Sequence, residues 1–154
     1  MNNASIYLTE SDKLILKFVK EKLIPIAKEL RVLALECAST KIGFWETFTH
    51  TELKKIESKC QVKSKKFLDY YKKWSDPTEF FESLKPKNGE ERQIIMRSYI
   101  NMKAAVEEYL KECFRMISYI QTYITTQSTS LYNRLAITLS LLAITTSIIL
   151  AIIF

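Results

Sequence analysis

The chain has 154 residues, 47% of them apolar and 26% charged, with a net charge of +6, two glycines, three prolines, three cysteines and one histidine. A chain of this length can bury one hydrophobic core and is too short for two. Gly43 and Gly89 alone cannot build a GxGxxG dinucleotide turn or a Walker-type phosphate loop, and His50 alone cannot supply an HExxH zinc site or paired ExxH di-iron motifs. None of Arg31, Arg92, Arg97, Arg115 and Arg134 is followed four to six residues later by a histidine, as helical ribonucleases of the HEPN kind require. Cys37, Cys60 and Cys113 form no CxxC pair and are expected as buried thiols in a reducing compartment. These exclusions argue against an enzyme and leave no catalytic, cofactor or metal residue to nominate.

The first twelve residues are polar and lack the apolar stretch of a secretory signal. Thr9 with Asp12 three residues on resembles an N-cap, and the pattern predicts a first helix over about 10–41. Ile15, Phe18, Val19, Leu23, Ile26, Leu30, Leu33, Ala34 and Cys37 share one face at the helical period. Pro25 interrupts it, removing a backbone hydrogen bond and crowding the Glu21 carbonyl, so a kink or break is expected there. The aromatic stretch from Gly43-Phe44-Trp45 to Phe48 is expected to pack the connection onto the core.

Thr49 with Glu52 reads as a capping box opening a second helix over about 50–74, with Leu53, Ile56, Cys60, Phe67, Tyr71 and Trp74 along its apolar seam. Ser75-Asp76-Pro77-Thr78 stops that helix, a short helix is expected over 78–84, and Lys85-Pro86-Lys87-Asn88-Gly89 is a loop. Residues 1–89 thus form most of a helical bundle.

After Gly89 the sequence contains neither glycine nor proline, so a helix can run from Glu90 to Phe154, about 98 Å if unbroken. Residues 90–134 read as an amphipathic stalk completing the bundle. Its seam is Tyr99, Met102, Val106, Tyr109, Cys113, Ile117, Ile120, Ile124, Leu131 and Leu135, in steps of three and four apart from polar Gln127. Thr122–Asn133 carries six Ser and Thr residues of poor helix propensity, which makes a hinge the alternative to a continuous rod. From Leu135 to Phe154 twenty residues carry no charge, and a helix of that length spans about 30 Å, the thickness of a bilayer's hydrocarbon core. The stretch from Thr125-Thr126-Gln127-Ser128 to Asn133 and the apolar run after it resembles the stalk-to-membrane junction of CorA-type magnesium channels. That family's Gly-Met-Asn motif and second membrane helix do not occur in this sequence, so no transport role carries over to any residue.

Two patterns could carry function. In the apolar run Ala136, Ser140, Ala143, Ser147 and Ala151 fall within about 80° of one another, a strip of small residues along which membrane helices approach closely. Thr138 and Thr145 lie on the opposite side; such hydroxyls either line a water-filled lumen or bond back to their own helix. On the second helix Lys55, Lys59, Lys63, Lys66 and Lys73 form a stripe, and eight lysines against three acidic residues give residues 50–74 a net +5, nearly the whole charge of the chain. A solvated face explains such a stripe, and anionic lipid or nucleic-acid phosphate would also fit it. Phe67, Tyr70, Tyr71, Trp74, Phe80 and Phe81 beside it read as core, with base stacking as the alternative, and His50 as a capping or surface residue.

The fold expected is all-α: a small cytoplasmic helical bundle whose long last helix continues into a single C-terminal transmembrane helix. Arg115 and Arg134 are the only charges after Glu112, which places the N-terminal bundle in the cytoplasm. The leading functional expectation is a single-pass membrane protein that self-assembles into a homo-oligomer through stalk and span, as pore-forming or membrane-perturbing effectors do. The alternatives are a monomeric tail-anchored adaptor with a cytoplasmic protein partner, and a membrane-tethered nucleic-acid-binding protein.

Overall fold

The computed structural model describes residues 10–153 and is 91% helical with no strand among them. The cap expected at Thr9 and the final Phe154 lie outside the described residues. Six α-helices follow in order among the described residues: α1 (Glu10–Phe18), α2 (Ile24–Ser39), α3 (Glu46–Thr49), α4 (Thr51–Ser75), α5 (Pro77–Leu84) and α6 (Gly89–Ile153).

The kink expected at Pro25 takes the form of a π turn over Val19–Leu23, in which Ile24 N–H donates to Val19 O. Pro25 then falls at the start of α2, where its missing N–H and its ring are accommodated by the widened turn. The apolar face survives the extra residue, since Ile15, Leu23, Ile26, Leu30, Leu33 and Cys37 are all essentially excluded from solvent. The chain therefore gains one long bent arm rather than two independent helices.

Helices α2, α4 and α6 pack mutually as a three-helix bundle, with α1 against the start of α6 and α5 against α4. Tyr99, near the start of α6, meets Trp74 at the end of α4, while Tyr132 meets His50 just before α4. Helix α4 is thus antiparallel to α6, and α2, whose C-terminal Thr40 carbonyl accepts from Tyr123 Oη, runs parallel to it. The end remote from the apolar run is closed by an aromatic cluster: Phe18 stacks on Trp74 at 6.2 Å, and Phe80 meets Trp74 edge-on at 5.2 Å. Tyr99 adds a hydrogen bond from its hydroxyl to the Trp74 carbonyl at 2.7 Å, satisfying an acceptor that the end of α4 would otherwise leave bare.

Helix starts follow local chemistry, in one place against expectation. Asp76 Oδ1 accepts the Thr78 N–H ahead of α5, with Pro77 at its first position. Asn88 Oδ1 accepts Glu91 N–H while Glu91 reaches back to Lys87 N–H, a variant of the capping box that starts α6. The box expected from Thr49 and Glu52 does not form. His50 stands before α4 in the left-handed region (φ 52°) with no side-chain cap of its own. Glu46, at the start of α3, supplies the cap instead, accepting Glu52 N–H at 2.7 Å and Leu53 N–H at 3.2 Å.

The connection between α2 and α4 also departs from expectation. Thr47 and Glu46 are buried, but Phe44, Trp45 and Phe48 are 58%, 77% and 48% exposed and pack on one another rather than on the core. Phe44 and Trp45 precede α3 and Phe48 lies within it, and the cap made by Glu46 directs the other side of the turn inward. Helix α6 carries the last finding: it passes through Thr122–Asn133 without a break, so the hinge is absent and the rod continuous.

Candidate functional site

The apolar end of α6 is long and apolar enough to cross a membrane, and no part of it is buried within the chain. Ile137, Leu139, Leu141, Leu142, Ile144, Ile148 and Ile149 all stand half exposed or more. All five hydroxyl residues of the run bond back to their own helix. Thr138 donates to Arg134 O at 2.9 Å, Ser140 to Ala136 O at 2.9 Å, Thr145 to Leu141 O at 3.0 Å, Thr146 to Leu142 O at 2.8 Å and Ser147 to Ala143 O at 2.9 Å. Each hydroxyl is thereby satisfied without water, which removes the reason to require a lumen. Along Ala136, Ser140, Ala143, Ser147 and Ala151 the helix presents small side chains, and nothing in the described chain covers them.

The stalk seam meets the chain's own helices. Tyr99, Val106, Cys113, Ile117 and Ile120 belong to the buried core of the bundle, and Met102, Tyr109 and Ile124 pack against it. Burial pushes the Cys113 thiol up to about 11, and the Cys37 thiol also above its usual value, so both remain protonated and inert. With Cys60 they are buried free thiols. Oligomerisation along this face, as the heptad spacing suggested, would require the bundle to open.

The lysine stripe is largely spoken for by acidic residues. Lys59 pairs with Glu36, Lys63 with Glu29 at 2.8 Å, Lys66 with Glu29 at 3.9 Å and Lys55 with Glu52 at 3.8 Å, while Lys73 is exposed. Its hydrogen bond to Lys63 is the main reason the Glu29 carboxyl titrates below the usual range. Lys59, Lys63 and Lys66 therefore face α2 across the α2–α4 seam, while Lys55 pairs within α4, each pair worth roughly 0.2–1 kcal/mol. The aromatic set beside it is interior: Phe67, Trp74, Phe80 and Phe81 are buried and Tyr70 and Tyr71 pack against them, which leaves no face for stacking bases.

Two features at the α2–α4 connection escaped the sequence pattern. Burial alone would raise the Glu46 carboxyl, but hydrogen bonds from Leu53 and Glu52 N–H and the Thr51 and Thr49 hydroxyls outweigh it and hold its pKa below the usual value. His50, at the joint, sets its ring 5.6 Å from that of Tyr132. The connection is thus fastened beside the last turns of α6 before the apolar run: Arg134 Nη1 lies 3.5 Å from the Ile42 carbonyl.

Open grooves flank α6. One of about 650 Å³ lies against α2, lined among others by Arg31, Leu35, Glu112, Met116 and Tyr119, and one of about 760 Å³ lies against α4. No group of three or more His, Cys, Asp or Glu side chains able to hold a metal gathers among the described residues. The chain matches no family model, no curated protein and no solved structure.

Proposed function

We propose that the chain is a membrane-anchored scaffold: a non-enzymatic helical bundle held at the cytoplasmic face of a bilayer by the apolar end of α6, which pairs with the same segment of another copy. The observation that carries this reading is the division of α6 into a half whose seam is filled by its own chain and a half with nothing on it. Self-association, if confined to one surface, then falls to the strip Ala136, Ser140, Ala143, Ser147 and Ala151. Its two serines bond back to the helix and so let two backbones approach without stranding a polar group in lipid. Arg134 at the end of the bundle half supports the cytoplasmic orientation.

The back-bonded hydroxyls favour an anchor over a pore, and the α2–α4 ion pairs favour a protein scaffold over a nucleic-acid surface. Replacing Ala143 and Ser147 with Leu tests the pairing. The full chain in detergent is expected to run as a dimer or higher oligomer, and the double variant as a monomer with unchanged helicity. Equal oligomeric states would reject pairing through the strip and leave the monomeric adaptor as the better reading.

A further inference from the structure

Phe44, Trp45 and Phe48 form a knot of three rings, with centroids 5.7 to 6.4 Å apart, that the fold holds in the open. Large apolar side chains exposed singly are ordinary, but a contiguous aromatic cluster marks a surface that meets something apolar. Its exposure is imposed by the backbone. On the inner side of the same turn Thr47 is fully buried and Glu46 is fastened to the start of α4, so the three rings cannot fold back onto the core without releasing that cap.

The position of the cluster identifies its occupant. The connection is tied to α6 on both sides of the rings, at the Ile42 carbonyl beside Arg134 and at His50 beside Tyr132. Arg134 is the residue before the apolar run, and Tyr132 is 61% exposed two residues earlier. The rings therefore sit level with the point where α6 would enter a bilayer. Trp and Tyr concentrate at that depth, where an amphipathic ring has one side in acyl chains and one at the headgroups, and Arg and Lys accompany them toward the phosphates.

We propose that Phe44, Trp45 and Phe48 form a second, monotopic contact with the same membrane leaflet that α6 enters, inserting into its interfacial zone with Tyr132 and Arg134 beside them. The inference rests on the membrane reading of α6 and adds to it. One span alone leaves the bundle free to swivel about the helix axis. A wedge displaced to the α3 side fixes which face of the bundle rests on the lipid, and such interfacial anchors set the tilt and rotation of a span.

Tryptophan fluorescence of the full chain in vesicles of phosphatidylcholine and phosphatidylglycerol tests this, with a spin-label quencher placed either near the headgroup or near the end of the acyl chain. Trp74 is buried at the remote end of the bundle, so Trp45→Phe leaves an emission that lipid quenchers should not reach. The wild type is expected to be quenched by the shallow label more than by the deep one, and Trp45→Phe by neither. Leu142→Trp in the Trp45→Phe background reports the span separately and is expected to be quenched by the deep label. Quenching of this span reporter without quenching of Trp45 in the wild type would overturn the wedge while keeping the span, leaving the cluster as a seat for a protein. A span reporter that neither label quenches would overturn both.

Discussion

The two halves of α6 share one backbone and opposite surroundings. Between Ile95 and Leu131 its seam residues, Tyr99, Val106, Leu110, Cys113, Ile117 and Ile120 among them, are buried in the bundle; from Ala136 onward the apolar residues stand exposed on every side. The difference lies in what stands between the apolar positions. The bundle half alternates its apolar positions with Lys, Glu and Ser at steps of three and four, so it can be half wet. The terminal half carries no charge on any side and its hydroxyls are bonded back to the helix, the composition of a segment suited to an apolar solvent. The hydroxyl-rich stretch between them joins the two halves without breaking the helix, because side chains such as Thr129, bonded back to Thr125 O at 3.0 Å, satisfy themselves within it.

That contrast breaks most sharply under core truncation. Phe67→Ala removes a fully buried ring that meets Phe114 edge-on at 5.0 Å, and is expected to destabilise the bundle by about 3–5 kcal/mol in denaturant titrations of the full chain in detergent. Leu142→Ala in the same assay is expected to change bundle stability by less than about 0.5 kcal/mol. Similar losses at both positions would mean that the two halves are not separate environments.

The join between the connection and α4 sharpens the comparison with a smaller effect. Glu46→Gln is expected to cost the bundle about 1–2 kcal/mol at neutral pH, as loss of a good helix cap does. Because the folded pKa of Glu46 is depressed, its contribution is present above the unfolded carboxyl value of about 4.3 and is lost as pH falls through the folded value. Unfolding curves taken downward through the carboxylate range should therefore fall more steeply for the wild type than for Glu46→Gln. Parallel curves would show that the carboxylate is not the cap.

Much of the architecture was legible in sequence because helical periodicity is a strong local signal. Helix α4, expected over about 50–74, occupies Thr51–Ser75, and α5 and α6 begin within a residue of expectation. What escaped depends on distance or on backbone. Glu46 reaches α4 only because His50 takes a left-handed conformation, which no spacing rule reveals. Lys59 and Lys63 look like a free stripe on their own helix and acquire Glu36 and Glu29 only when α2 packs alongside. The Phe44 cluster reads as core by composition and proves exposed because Glu46 and Thr47 claim the inward side of the turn. Likewise the seam from Tyr99 to Ile124 fits partner helices of either origin, and only the fold shows that they belong to the same chain.

The smallest expected effect lies at Lys85, a residue with positive φ (50°) just after α5 and far from the apolar run. Lys85→Gly relieves that conformation and is expected to raise stability by about 0.5 kcal/mol, read as a shift of the unfolding midpoint with no change in membrane association. A destabilised variant would show that the lysine side chain holds the turn.

Amide hydrogen exchange along α6, measured on the full chain reconstituted in vesicles, tests the central claim most directly. Strong protection is expected from Ile95 through Ile152, including the stretch from Thr122 to Asn133, with protection of residues 135–152 lost when the lipid is withdrawn. Rapid exchange of residues 135–152 in the presence of lipid would contradict a membrane-spanning end of α6.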